Sequence, residues 1–224
     1  MDNEQNDSDA VYSVVIEEMT EMITSLTDNN KSILIPEIIK LLKRQDTAQY
    51  LDDEQYDTLL SETVAVLLDE VTSDAEIQPL FAELANDLCQ ISQEFRSLLL
   101  GFVKDGFESF FVEDQFTVTE TSEMGDVIIN SVAFIGHLLK FKIVNPATIA
   151  KVTSELIMRP NKLWAIESLC AMWTVILTFM PIDNYIRSIV AKVNAFADDF
   201  ALRLETRNSC KEFVSFYKSK TVAV

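Results

Sequence analysis

Glycine and proline are scarce in this 224-residue sequence, which holds only 4 Gly and 5 Pro. An all-β or α/β protein of this length needs many more of both residues in its turns. Leu, Ile, Glu, Ala and Lys are plentiful instead, and these residues favour helices. Because 48% of the chain is apolar, it can also bury a substantial core. The composition therefore predicts an all-α folded protein.

Histidine and cysteine are too few for the common catalytic and metal sites. The single histidine, His137, lies in the apolar segment FIGHLLKFK, where a packing role is favoured over catalysis. The three cysteines, Cys89, Cys170 and Cys210, are odd in number and far apart, which indicates reduced thiols and offers no zinc spacing. Phosphate-binding glycine loops and the HExxH pattern are absent. We predict that the chain is not an enzyme and uses no metal or cofactor.

Signals for secretion and membrane insertion are also missing. Met1 is followed by Asp, Asn and Glu, without a basic segment or an early apolar run. The longest apolar stretch, residues 170–180, is too short to span a bilayer and ends at Pro181. The sequence predicts a soluble protein of the cytoplasm, with the nucleus as the alternative, and no membrane partner.

Basic residues are rare in the first half of the chain, whose net charge as a whole is −18. Residues 1–130 hold 29 Asp and Glu against 6 Lys and Arg, whereas residues 131–224 hold 7 against 12. The acidic half should repel phosphates and suits a basic protein partner. The excess of five cations in the second half is compatible with a weak RNA contact and equally with scattered solvated lysines.

Apolar residues recur at helical spacing between short breaks. Residues 1–8 are predicted to form a disordered polar tail, and residues 9–220 a single domain. The helices are predicted at 9–26, 31–44, 54–72, 75–91, 93–112, 123–143, 146–158, 162–180, 183–204 and 207–219. Ten helices with short connections predict a solenoid of about five antiparallel pairs, similar to HEAT repeats. Residues 113–122 are predicted to be its longest and most mobile loop.

Local signals mark several helix ends and faces. Asn145 before Pro146 predicts an N-cap followed by proline in the first turn. Ser73 and Asp74 are the predicted cap of the next helix. Residues 162–180 are apolar around much of the helix, which predicts burial on two sides and places Trp173 in the core. Trp164, at the start of this helix, is the better candidate for the surface.

Several segments in collinear order resemble the middle domain of the translation initiation factor 4G family. Residues 134–142 (FIGHLLKFK) are similar to that family's FIGELFKLK signature, although His137 replaces an acid. Residues 166–170 (IESLC) resemble its LECLC helix, with Leu177 where a glycine usually follows. Residues 95–100 (FRSLLL) and 206–209 (TRNS) resemble two further segments. The likeness covers about residues 15–218, but the family's docking motif for the cap-binding protein is not found.

The resemblance implies a curved solenoid that acts as a scaffold in translation and binds a DEAD-box RNA helicase of the initiation factor 4A type. One helicase lobe is expected to contact Leu26, Thr27 and Asn29, and the other Lys140, Lys142, Asn145, Trp164, Arg203 and Arg207. Most of these residues also have a plainer interpretation, with Leu26 as core and the cations as partners of helix C-termini.

Two other functions stay open at this point. The same fold can serve as an adaptor in mRNA decay, splicing or message-specific translation without helicase binding, which His137 and Leu177 favour. Alternatively, the cations of the second half bind RNA weakly, with Lys140, Lys142, Lys218 and Lys220 as the expected contacts.

Overall fold

The computed structural model describes residues 2–43, 50–112, 122–160 and 164–222. These residues form helices and connecting turns, without a strand among them, so the prediction of an all-α fold is confirmed. The described helices are α1 (Asp2–Thr24), α2 (Lys31–Leu42), α3 (Asp53–Ser73), α4 (Gln78–Ile91), α5 (Gln93–Val112), α6 (Ser122–Lys140), α7 (Pro146–Met158), α8 (Ala165–Ile176), α9 (Asn184–Ala197) and α10 (Leu204–Val222).

Side-chain caps fix the start of several helices, among them α7 and α3. The Asn145 side chain accepts a hydrogen bond from the backbone N–H of Thr148, and Pro146 follows as the first helical residue, which confirms the prediction for α7. Asp52 caps α3 in a reciprocal capping box with Gln55. Each cap satisfies an N–H group that would otherwise have no partner in its helix.

The predicted cap of α4 is wrong. That helix begins at Gln78 rather than residue 75, and Ile77 precedes it without a side-chain cap. The Asp74 carboxylate instead accepts a hydrogen bond from the N–H of Glu76 at 2.8 Å, which closes a local turn. Short acidic side chains favour such turns as strongly as helix caps, so the sequence alone does not separate the two.

Other boundaries differ from the prediction in length. Helix α1 begins at Asp2, so that residues 2–8 extend it where a disordered tail was expected. Helix α9 ends at Ala197, whereas the prediction ran on to residue 204, and turns follow before α10 begins at Leu204. The predicted mobile loop at 113–122 lies outside the described residues except for Ser122, which begins α6.

The chain divides into two compact units, Met1–Gly106 and Phe107–Val224, with the border inside α5. In the first unit, α1 packs against α2 and α3, and α2 packs against α4. Lys31, at the start of α2, forms an ion pair with Glu83 of α4 at 3.1 Å. Fully buried side chains such as Met19, Leu59 and Phe81 form the core of this unit.

In the second unit, helices α6, α8 and α10 run in the same direction. Gly125 near the start of α6 faces Trp164 at the start of α8, while Gly136 near the end of α6 faces Met172 and Val175. The hydroxyl of Thr206, in the first turn of α10, donates a hydrogen bond to the carboxylate of Glu167 in the first turn of α8. The start of α8 thus lies beside the start of α6 and beside the start of α10, so the three helices form one parallel layer. Helix α7 packs against α6 and α8.

Gly136 sets how closely α6 approaches α8. A Cβ atom at this position would lie 2.9 Å from the carbonyl oxygen of Met172 and 3.3 Å from Cβ of Val175. The nearest obstacle is backbone, which cannot rotate away as a flexible side chain does. The absence of a side chain at Gly136 therefore permits the observed contact between the two helices.

Candidate protein-binding surface

The residues expected to bind a partner fall in three separate places. Leu26, Thr27 and Asn29 lie in the turn between α1 and α2, in the first unit. The other two groups lie in the second unit, with Lys140, Lys142 and Asn145 after the end of α6 and with Trp164, Arg203 and Arg207 at the starts of α8 and α10. At 1.5 Å per residue, the fifteen residues of α6 between Gly125 and Lys140 span about 22 Å. The two groups of the second unit therefore occupy opposite ends of its parallel layer.

In the turn after α1, only two of the three residues are accessible. Leu26 is 4% exposed and belongs to the core, so its side chain is not available to a partner in this conformation. Thr27 and Asn29 are exposed. Asn30 holds the turn, because its side-chain amide donates to the carbonyl of Ser25 at 2.8 Å and its oxygen accepts from the N–H of Thr27 at 2.7 Å.

At the end of α6, two cations flank a structural asparagine. The Lys140 ammonium lies 5.4 Å from the centre of the Phe141 ring. Lys142 has φ 59°, in the left-handed region that ends many helices, and its N–H donates to the carbonyl of Leu139. Asn145 uses its side-chain oxygen as the cap of α7. The accessible charge here is thus carried by Lys140 and Lys142.

At the other end of the layer, six residues form what we name the arginine–aromatic cluster: Trp164, Glu167, Phe200, Arg203, Thr206 and Arg207. Glu167 is 7% exposed, and one of its oxygens accepts hydrogen bonds from Arg203 at 2.8 Å and from Thr206 at 2.6 Å. The guanidinium of Arg203 also lies 4.4 Å from the centre of the Trp164 ring. A buried carboxylate thus fixes the arginine on the face of the indole.

The second arginine of the cluster supports an exposed aromatic side chain. Phe200 is 86% exposed, and the guanidinium of Arg207 lies 4.8 Å from the centre of its ring. The Nε atom of Arg207 is buried without a hydrogen-bond partner, and so is the indole nitrogen of Trp164. An apolar ring exposed to this extent gains by burial against another molecule.

The backbone at the start of α8 is shaped around Trp164. This residue has φ 66°, a left-handed conformation that is uncommon for a bulky residue. Gly125 makes room for the indole, because a Cβ atom there would lie 2.6 Å from it. In this conformation the ring lies beside Arg203, and strained residues of this kind cluster at functional sites.

Sequence reasoning found three members of the cluster and missed Glu167, Thr206 and Phe200. Phe200 was assigned to the interior of a helix, although Asp198 and Asp199 before it are typical of a turn. Glu167 carried a usable signal, because it is a charged residue inside the apolar stripe of α8. A carboxylate in that position needs buried donors from a neighbouring element.

The cysteines are free and buried in the structure. Cys170 and Cys210 meet between α8 and α10, where a thiol–thiol hydrogen bond raises the pKa of Cys170 and lowers that of Cys210. Burial raises the pKa of Cys89 to about 11. Among the described residues, no group of three or more His, Cys, Asp or Glu side chains is placed to hold a metal ion.

Burial of His137 lowers its pKa to about 4, with a smaller contribution from the charge of Lys140. The unfolded chain, in which histidine has a pKa near 6.5, therefore binds more protons than the folded chain between about pH 4 and 6.5. Stability from this residue is therefore present above pH 6.5 and is lost as the pH falls toward 4.

A pH series of urea unfolding tests this expectation, followed by the fluorescence of Trp164 and Trp173, which both lie in the second unit. The extra loss of stability below pH 6.5 should disappear in His137→Gln, which cannot titrate. Equal pH profiles for the two proteins would show that His137 is not shielded from water.

Comparison with known proteins gives this chain no family. No protein-family model matches the sequence, and no curated protein matches it. None of the helices in the described ranges is long and apolar enough to cross a membrane.

Proposed function

We propose that this chain is a non-catalytic scaffold in mRNA translation that binds a DEAD-box RNA helicase of the initiation factor 4A type and stimulates its cycle. The arginine–aromatic cluster is the observation that carries the proposal. It unites three of the residues expected to contact the helicase, and it adds the exposed ring of Phe200. The parallel layer of α6, α8 and α10 supports the accompanying proposal of a HEAT-like solenoid of about five helix pairs.

The cluster has the amino-acid composition of a binding hot spot in a protein–protein interface. Trp and Arg are enriched among the residues that contribute most to binding, and they act best when their conformation is fixed beforehand. Arg203 is fixed by Glu167 and Trp164, so that little side-chain freedom is lost when a partner arrives. Phe200 supplies the apolar area that a partner would bury.

Stimulation of the helicase follows if the scaffold binds one arrangement of its two lobes more tightly than the others. Each tenfold preference for the active arrangement shifts the equilibrium by about 1.4 kcal/mol. The exposed pair Thr27 and Asn29, the lysines after α6 and the arginine–aromatic cluster are separate contact points that such a preference requires. The cytoplasm, where translation takes place, is the proposed location.

Removal of the Phe200 ring should weaken helicase binding at least tenfold, a loss of about 1.4 kcal/mol or more. Phe200→Ala is a clean change because the side chain is 86% exposed and the fold does not depend on it. Isothermal titration of the purified chain with a helicase of the initiation factor 4A type measures the loss. Charge reversal at Arg207 or Lys140 should also weaken binding.

Phe102→Ala is the matched control, because Phe102 is an exposed phenylalanine of α5 in the first unit. Its affinity for the helicase should stay within twofold of the unchanged chain. Equal losses in the two variants would remove the cluster from the interface.

A second candidate keeps the fold and changes the partner. Leu177 is 4% exposed, so a bulky side chain fills a buried position where the family that the sequence resembles usually has glycine. Altered packing at the end of α8 favours an adaptor in mRNA decay, splicing or message-specific translation that does not bind the helicase. A folded chain that fails to bind the helicase would select this candidate.

A further inference from the structure

We propose that Cys170 of α8 and Cys210 of α10 form a modification site, at which hydrogen peroxide oxidises the two thiols to a reversible disulfide bond. Both residues lie in the second unit, and both are buried, with exposed fractions of 5% and 0%. The bond joins two helices of the parallel layer covalently. This inference does not depend on the proposed function.

The register of α8 and α10 brings the two thiols together. The hydroxyl of Thr206 lies 2.6 Å from the carboxylate of Glu167 where the two helices begin. Cys170 follows Glu167 by three residues and Cys210 follows Thr206 by four, so each cysteine lies about one turn further along its helix. Because the helices run in the same direction, the two cysteines stay opposite each other, and a thiol–thiol hydrogen bond joins them.

The spacing of packed helices suits a disulfide bond between α8 and α10, which pack against each other. Packed helix axes lie about 8–10 Å apart and Cα atoms lie about 2.3 Å from their axis, so facing Cα atoms are roughly 5 Å apart. A disulfide bond spans about 4.4–6.8 Å between Cα atoms. Formation of the bond therefore requires rotation of two side chains rather than separation of the helices.

The hydrogen bond gives the two thiols different roles in the reaction. Cys170 donates to Cys210, which favours the thiolate of Cys210 and lowers its pKa, whereas the same bond and burial raise the pKa of Cys170. The Cys210 thiolate is therefore the nucleophile that attacks peroxide, and Cys170 is the thiol that resolves the product.

The oxidation balances in two steps. In the first, the Cys210 thiolate attacks one peroxide oxygen, the O–O bond breaks, and the departing hydroxide takes up the thiol proton, which leaves a sulfenic acid and one water. In the second, the Cys170 sulfur displaces the sulfenic hydroxyl, which leaves with the Cys170 proton as another water. The two sulfurs lose two electrons in total, and the peroxide gains them.

Peroxide reaches the pair by local opening of α10. This helix is buried along one stripe of side chains, formed by Thr206, Cys210, Phe213 and Val214. Lys211 and Glu212 beside that stripe are exposed, whereas α8 has nine buried residues among its twelve. A helix with few buried contacts opens at a lower free energy than a helix packed on several sides. Opening of α10 therefore exposes Cys210 while α8 stays in place.

Peptide mapping of the full chain without reduction tests the proposal. The purified chain is incubated with hydrogen peroxide, unfolded in N-ethylmaleimide and digested with trypsin, which places Cys170 in residues 163–187 and Cys210 in residues 208–211. The two peptides should be linked and should separate after dithiothreitol, while Cys89 carries the maleimide. Free thiols at Cys170 and Cys210, a bond to Cys89, disulfide-linked dimers, or sulfinic acid in place of the link would overturn the proposal.

Three substitutions test the roles of the cysteines. Cys89→Ala, the matched change of a buried cysteine in the first unit, should leave the linked peptides unchanged. Cys170→Ser keeps a hydroxyl donor for Cys210 but cannot form the disulfide, so dimedone should trap the sulfenic acid of Cys210. Cys210→Ser should give no dimedone adduct at Cys170, and equal labelling of the two variants would overturn the assignment of Cys210 as the nucleophile. The map of the unchanged chain decides the disulfide even for a variant that loses its fold.

Hydrogen exchange shows whether the bond holds α10 against α8. In the oxidised chain, amides in the first two turns of α10 should exchange at least about tenfold more slowly, because the link blocks the local opening of this helix. Amides of α3 in the first unit are the internal control and should exchange equally in both forms. Equal exchange of α10 in the oxidised and reduced chains would show that the two helices are not joined.

Discussion

Gly136→Ala is expected to destabilise the second unit by about 2 kcal/mol, although alanine is the better residue in an isolated helix. The new Cβ atom would lie 2.9 Å from the carbonyl oxygen of Met172 and 3.3 Å from Cβ of Val175. Helices α6 and α8 then have to move apart along their shared surface. Urea unfolding followed by tryptophan fluorescence measures the change, because both tryptophans lie in this unit.

Gly101→Ala supplies the control for the intrinsic effect of the substitution. A Cβ atom at Gly101 meets nothing within 4 Å, and this residue also lies inside a helix, α5. Alanine there should stabilise the first unit by about 0.5–1 kcal/mol, which circular dichroism can follow. A stabilised Gly136→Ala variant would contradict the close parallel packing of α6 and α8.

Glu167→Ala should lower the stability of the second unit by about 2–4 kcal/mol, the other large effect that we expect. The substitution leaves the hydroxyl of Thr206 buried without an acceptor, since Thr206 is 4% exposed. It also removes the partner of Arg203, whose side chain is 40% exposed, so that part of this loss is recovered by solvation. Urea unfolding detected by tryptophan fluorescence gives the value.

Two variants separate the contributions to this loss. Thr206→Val removes only the hydroxyl bond and should cost about 1 kcal/mol. Glu205→Ala removes an exposed acid next to it on α10 and should change stability by less than about 0.5 kcal/mol. A loss for Glu167→Ala no larger than that for Glu205→Ala would show that the buried carboxylate does not connect α8 to α10.

Helix positions were predictable from the sequence wherever local signals agreed. The apolar stripe of α8 and the Asn145–Pro146 start of α7 are examples, because a cap and a periodic pattern act within a few residues. The start of α4 was not predictable, because the side chain of Asp74 can either cap a helix or close a local turn. In the structure it closes the turn by accepting a hydrogen bond from the N–H of Glu76. The end of α9 was missed because apolar residues continue through the following turn as far as Leu204.

The candidate surface was predictable only in part, because it depends on contacts between distant segments. Trp164 and Arg203 were expected on one surface. The contact between them depends on the hydrogen bond from Arg203 to Glu167, a residue to which the sequence analysis assigned no role. The separation of this cluster from Lys140 follows from the direction of α6, which local spacing does not encode. Leu26 was expected on the surface but is buried. An apolar residue at a turn can either pack in the core or contact a partner, and the sequence does not distinguish the two.

The two ends of the parallel layer expose different chemistry. The end with Trp164 and Phe200 combines apolar rings with ordered arginines, whereas the end with Lys140 and Lys142 exposes two lysines. Truncation of a fixed aromatic residue mainly raises the dissociation rate of a complex, while loss of a peripheral charge mainly lowers the association rate. The stimulation of a helicase should therefore depend on Phe200 at all salt concentrations.

The most direct test of the scaffold proposal is a titration of a helicase of the initiation factor 4A type with the purified chain, with RNA-dependent ATPase activity as the readout. The proposal predicts a saturable increase of the ATPase rate whose midpoint matches the dissociation constant and moves at least tenfold higher for Phe200→Ala. An unchanged ATPase rate with a folded, helical chain at saturating concentration would contradict the proposal, and the adaptor function would take its place.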